Sequence, residues 1–133
     1  MKKPVKFEIE RFFIALSDKT RLRLLNLIGE DEVCVCFFVE VLGEPQPKIS
    51  RHLAYLRRAG IVSARREGKW MHYRIAHPTD PHAKNILANV IAWLKDDKDM
   101  QRDRARLLKV CCASSLPMPL KGAPKPASIV ASI

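Results

Sequence analysis

Apolar positions along the chain follow helical spacing over most of its length and alternate in one short region. Phe12, Phe13 and Leu16 fall on one side of a predicted helix over Phe7 to Leu16, and Ser17-Asp18 offers an N-cap for the element that follows. Lys19 to Ile28 carries Leu24, Leu25, Leu27 and Ile28, the largely apolar surface of a helix packed in a core, and Gly29 closes it. Val33 to Leu42 is short, apolar and rich in Val and Phe, so strand and helix both stay open; Gly43 ends it.

The next stretch is more decisive. Pro45 and Pro47 keep Gln46 out of the right-handed helical region, and Pro47 predicts a helix start. From there Ile49, Leu53 and Leu56 share one face, while Lys48, Arg51, Tyr55 and Arg58 share the other. Two helices joined by a short Gly-containing turn, the second with a basic face, form the helix-turn-helix pattern. After Gly60 the spacing alternates: Ile61 to Arg66, a Glu67-Gly68 turn, then Lys69 to Ile75, a predicted β-hairpin with Arg65, Arg66 and Lys69 clustered at its tip. The fold class expected is α+β, mainly α: a winged helix-turn-helix with a two-stranded hairpin wing.

Beyond Pro78 and Pro81, Ala83, Ile86, Leu87, Val90, Ile91 and Leu94 make a wide apolar stripe on a peripheral helix ending near Lys95, the pattern of a dimer interface. A last helix capped by Asp97 or Asp99 runs through Leu107, Leu108 and Val110 to Cys111-Cys112. Pro117, Pro119, Pro124 and Pro126 then lie among small residues, so 113–133 is expected to be disordered. The organisation predicted is a DNA-binding and dimerisation domain over 1–95, a helical extension over 96–112 and the tail.

Composition narrows the function. A chain of 133 residues, 47% apolar, supports one compact domain, and its net charge of +10 favours a polyanionic partner. The helix and hairpin tip that carry this charge make double-stranded DNA the expected ligand. No apolar run approaches the ~20 residues that span a bilayer, and the N-terminus lacks an export pattern, so the expected location is cytoplasmic, with no membrane partner. In that reducing setting the tight pairs Cys34/Cys36 and Cys111/Cys112 point to metal or redox chemistry before disulfides. No Ser-His-Asp arrangement, Gly-rich phosphate loop or paired-carboxylate signature stands out, which argues against an enzyme.

At the reading helix, Gln46, Lys48, Ser50, Arg51 and His52 occupy the first turns, where side chains reach base edges, while Arg57 and Arg58 are placed for phosphates. Arg65, Arg66 and Lys69 would contact the backbone from the wing. Cys34 and Cys36 would stand roughly 200° apart on a regular helix, so an ion taking both thiolates would strain it. Cys111-Cys112, beside Lys109 and ahead of the Pro-rich tail, would be accessible and biased toward thiolate. Thiolates without a nitrogen partner favour As(III), Sb(III), Cd(II), Pb(II) or Cu(I); four sulfurs would also suit Zn(II), although the spacing is not that of a zinc ribbon. His72 in the wing and the Pro-flanked His77 and His82 are expected to lie in solvent without a ligand.

Glu32-Val33-Cys34-Val35-Cys36, the run Gln46 to Leu53, Leu56 to Val62, and Arg66-Glu67-Gly68-Lys69-Trp70 to Tyr73 together resemble the ArsR/SmtB metalloregulator family over about residues 10 to 95. That resemblance implies a homodimeric winged-helix repressor that binds operator DNA when metal-free and lets go when a metal or metalloid binds. The arsenic-responsive branch carries Cys-Val-Cys on the first helix of its helix-turn-helix, which Cys34 and Cys36 match. Where that branch can supply a third cysteine this chain has Val39, so a third ligand is expected from Cys111 or Cys112 of either subunit. The cadmium branch's N-terminal cysteines are missing, and of the zinc branch's set only Asp80 and His82 have counterparts. The expected activity is therefore As(III)- or Sb(III)-responsive repression, with Cd, Pb or Zn as other candidate ions. A thiol redox-sensing regulator and, from a different class, a soft-metal chaperone are the alternatives.

Overall fold

The computed structural model describes residues 7–112 and 120–132. Helix α1 covers Ile9–Leu16 and α2 covers Lys19–Ile28, where Asp18 accepts a hydrogen bond from the Arg21 N–H at 3.0 Å as its N-cap. Phe12 of α1 is buried but Phe13 is half exposed, because the helix turns Phe12 and Ala15 inward. Next come β1 (Glu32–Cys34), α3 (Val35–Leu42) and α4 (Gln46–Arg58). The Val33 to Leu42 stretch, open between strand and helix in the sequence, is both in turn, and Cys34 is the hinge. Its φ of −70° and ψ of 140° make it the last extended residue and the N-cap of α3. Gly43, at φ 64°, takes the left-handed conformation that ends α3.

The hairpin β2 (Val62–Glu67) and β3 (Trp70–Ile75) forms as expected, and β1 adds a third strand. The sheet is antiparallel in the order β1-β3-β2. Its register sets Cys34 and Arg65 on either side of His72, and Glu32 opposite Arg74. Glu67 still pairs with Trp70, so the turn is Gly68-Lys69, one residue later than expected. Gly68 takes the positive φ of 58° that a two-residue turn requires at its first position.

Helices α5 (Pro81–Asp96) and α6 (Lys98–Cys111) follow, with Asp97 ending one and capping the other through a bond from the Met100 N–H. One core holds Phe12, Leu25, Phe37, Phe38, Ile49, Leu53, Ile61 and, from α6, Leu107. Arg23 of α2 grips Asp103 of α6 through two bonds of 2.7 and 2.8 Å, and Asn26 Nδ2 donates to the Met100 carbonyl at 2.8 Å. Residues 96–112 thus share the core rather than extend from it.

The segment 120–132 corrects the expectation of a disordered tail. Leu120, Ala123 and Ile129 are buried, and α7 spans Ala127–Ser132. Apolar residues recurring every third position dock the segment, and Gly122 rests against Trp70. Asp31, only 8% exposed, accepts from the Ser128 N–H at 3.0 Å and from the Ser128 hydroxyl. Arg104 completes the clamp, donating to the Leu27 carbonyl at 2.9 Å and to Asp31 at 3.3 Å. Expected disorder over 113–119 and at 133 lies outside the described residues. Among those described, no helix is long and apolar enough to cross a membrane.

Candidate thiol centre and nucleic-acid interface

The β1–α3 junction brings Cys34 and Cys36 together. An i, i+2 pair on one helix would diverge, but Cys34 is extended and Cys36 is already helical, so the chain folds the second thiol back onto the first. Cys36 Sγ lies 3.1 Å from Cys34 Sγ and donates to it. Cys34 is fully buried and Cys36 half-buried. Donation from Cys36, reinforced by backbone N–H groups including that of Met71 on β3, pulls the Cys34 thiol down to about 7 against the opposing effect of burial. Cys36 moves the other way, because losing its proton would break that bond and set two thiolates side by side. Near neutral pH the Cys34 thiol is thus partly ionised while Cys36 keeps its proton. Both sulfurs already converge, so capture of a soft ion requires no unwinding of α3, contrary to the strain expected from a purely helical spacing.

Cys111 and Cys112 end differently. Cys111 is buried at the end of α6, and desolvation raises its thiol above the ordinary value; Cys112 is exposed. The accessibility expected of the pair therefore belongs to Cys112 alone. Among the described residues no group of three or more His, Cys, Asp or Glu side chains is arranged to hold a metal ion, so the fold of one protomer does not bring this pair to Cys34 and Cys36. His72, beside Cys34 in the sheet, is 3% exposed and turns Nε2 toward Glu67 Oε2 at 3.6 Å. It is a core histidine rather than the wing-surface residue expected. A cleft of about 810 Å³ between the Gly29–Glu32 loop and α5 is lined by neither thiol.

Helix α4 buries Ile49, Leu53 and Leu56 completely, so its opposite face must point outward. Gln46, Ser50, Arg51, Arg57 and Arg58 are exposed on it. Lys48 is partly exposed and pairs with Glu44 at 3.1 Å. His52 is turned aside: its Nδ1 accepts from Arg21 Nη1 at 3.2 Å and lies 3.8 Å from Asp18. On the wing, Arg66 and Lys69 are exposed, Lys69 lying 4.7 Å over the Trp70 ring. Arg65 is exposed too, yet its guanidinium is engaged by Glu32, at 2.5 and 3.0 Å, and by Glu67 at 3.0 Å.

Two residues escaped the sequence reading. Arg21 donates to the carbonyls of Ala15 and Ile14 at 2.8 and 3.0 Å and stacks 4.4 Å over Tyr55, fixing α1, α2 and α4 together. Glu32 ties the thiol-bearing strand to the wing. Neither had a local signal, since each acts on partners distant in sequence.

Comparison with known proteins places this arrangement. Residues 18–64 match the bacterial regulatory protein, arsR family. The chain is 39% identical over 106 residues to the arsenical resistance operon repressor of Escherichia coli, covering 77% of this chain and 87% of that one. With the arsenic resistance transcriptional regulator ArsR2 of Pseudomonas putida it shares 50% identity over 110 residues, 75% of this chain and 94% of that one. Among solved structures it is similar to the homodimeric winged helix-turn-helix DNA-binding domain Mb0332 of Mycobacterium bovis, with TM-score 0.55, 29% identity, and coverage of 68% of this chain and 81% of that one.

Proposed function

We propose, from the premise that this chain belongs to the ArsR family of DNA-binding transcriptional regulators, that it is a repressor released from its operator when As(III) or Sb(III) binds Cys34 and Cys36. One observation carries the reading: two thiols converge at 3.1 Å one helix before the basic face of α4, where β1 of the wing's sheet passes into α3. Trivalent arsenic is thiophilic, and exchanging two of its hydroxyls for the two sulfurs releases two waters, one taking the Cys36 thiol proton and the other, with Cys34 entering as thiolate, a proton from solvent. The Cys34 thiolate is the first nucleophile and Cys36 follows.

DNA is read by the N-terminal turns of α4 in a major groove, with Gln46, Ser50 and Arg51 at base edges and Lys48, Arg58, Arg66 and Lys69 toward phosphates. A homodimer supplies two such helices. Ile9 and Phe13 of α1, 60% and 50% exposed, and Trp93 of α5, 76% exposed, provide the apolar surface for it. A mobility-shift titration with arsenite tests the reading. DNA is expected to be released at micromolar to submillimolar arsenite from the wild type and retained by the Cys34→Ser, Cys36→Ser variant; equal release from both would refute it.

The same 3.1 Å separation favours a second reading, a thiol redox switch, since two electrons passed to a peroxide would join these sulfurs and leave two waters. Release of DNA by peroxide with no metalloid present distinguishes it.

A further inference from the structure

The sheet links the thiol centre to the wing more directly than α3 links it to α4. Strand β1 pairs only with β3, the middle strand, and β2 lies beyond. Glu32 and Cys34 are alternate residues of β1 and so project from the same sheet face. Arg65 of β2 belongs to that face too, standing opposite His72 as Cys34 does from the other side. Its guanidinium reaches across the whole sheet to Glu32 at 2.5 and 3.0 Å, and back to Glu67 at the wing tip at 3.0 Å. Beneath this bridge, His72 is sealed to 3% exposure.

Such a bridge is poorly suited to phosphate. Two carboxylates already take three of the five N–H donors of Arg65, the Nε and Nη2 edge facing Glu32 and Nη1 facing Glu67. Arg66, the next residue, projects from the opposite face and makes no ion pair among the described residues. Adjacent arginines in one strand therefore have different work. Cys34 also touches β3 itself, through the Met71 N–H. Any displacement of Cys34 by a captured ion moves Glu32, two residues away, and the bridge carries that displacement to β2.

We propose that the Glu32–Arg65–Glu67 bridge is the coupling element between the thiol centre and the wing, and that Arg65 positions the wing instead of contacting DNA. This rests on the metalloid-released repressor reading, and its test keeps the two separable. Operator binding would be followed by fluorescence anisotropy, with and without arsenite, in the wild type and in Glu32→Gln, Arg65→Gln, their double variant, the charge swap Glu32→Arg with Arg65→Glu, and Arg66→Gln. Arsenite binding would be followed separately through arsenic–thiolate absorbance.

Glu32→Gln and Arg65→Gln are expected to bind arsenite as the wild type does, yet to lose about fivefold or more of the ratio between DNA Kd with and without arsenite. The double variant should lose no more than either single one, and the charge swap should restore part of the ratio. The dependence of log Kd on log salt should keep its wild-type slope in Arg65→Gln and fall by about 1.8, about 0.9 for each subunit of the dimer, in Arg66→Gln. A wild-type ratio in both single variants, or a slope lowered by about 1.8 in Arg65→Gln, would overturn the proposal. A wild type that holds its DNA in arsenite would instead remove the functional reading and this inference with it.

Discussion

Cys34 and Cys36 meet at 3.1 Å where a strand becomes a helix, whereas Cys111 and Cys112 finish a long helix with one thiol in the core and the other in solvent. Both pairs look like soft-ion ligands in the sequence. Their surroundings separate them. At the first pair an extended residue followed by a helical turn points both sulfurs inward to each other, and donors from Cys36 and β3 stabilise a thiolate. At the second, adjacent helical residues point apart by roughly 100°, and burial of Cys111 favours the neutral thiol. Backbone conformation, more than spacing in the chain, decides which cysteines act together.

The widest contrast expected is in DNA release. Serine at both Cys34 and Cys36 should erase an arsenite effect of about 5- to 150-fold on DNA Kd, while serine at both Cys111 and Cys112 should leave it within about twofold. Anisotropy titrations of the two double variants against one operator would measure it. Stability should not separate the pairs in this way, because each has one fully buried thiol, Cys34 and Cys111. Cys111→Ser buries a hydroxyl in an apolar setting and should cost about 1–3 kcal/mol in urea unfolding.

Acid–base behaviour sharpens the contrast further. Cys34 is lowered from its ordinary value near 9 to about 7, so the folded state sheds that proton first. Its contribution to stability should grow as pH rises from about 7 to about 9 and be lost as pH falls through 7. Cys36 and Cys111, both raised, should reverse the trend above their ordinary value, where the unfolded chain ionises more readily. Melting temperatures across this range, under reductant, should show the rise in the wild type and not in Cys34→Ser. Smallest of all, Cys112→Ser should change unfolding free energy by no more than about 0.5 kcal/mol, as befits an exposed residue.

Much of this architecture was legible from local pattern. Pro45 and Pro47 marked the start of α4 to within a residue, Ile49, Leu53 and Leu56 marked its buried face, and alternation after Gly60 marked the wing. Strand β1 was not legible, because three residues are too few to display a period and only pairing with β3 makes them a strand. The convergence of Cys34 and Cys36 follows from that strand, so it was hidden as well. His52 carried the side-chain chemistry of base recognition, but its bond with Arg21 depends on how α2 crosses α4. The segment 120–132 misled through composition: prolines and small residues resemble a disordered tail, while Leu120, Ala123 and Ile129 quietly fit a groove.

That last segment has a practical side. Its Ser128 and α7 cover Asp31, three residues ahead of Cys34, and Arg104 holds that carboxylate as well. Anyone building a reporter fusion or a shortened version for crystallisation would be tempted to cut after Cys112, where the recognisable fold ends. Such a truncation would remove the buried Leu120, Ala123 and Ile129 and take from Asp31 its Ser128 bonds at the root of the thiol-bearing strand. A sensor built that way would carry its defect next to the element meant to respond.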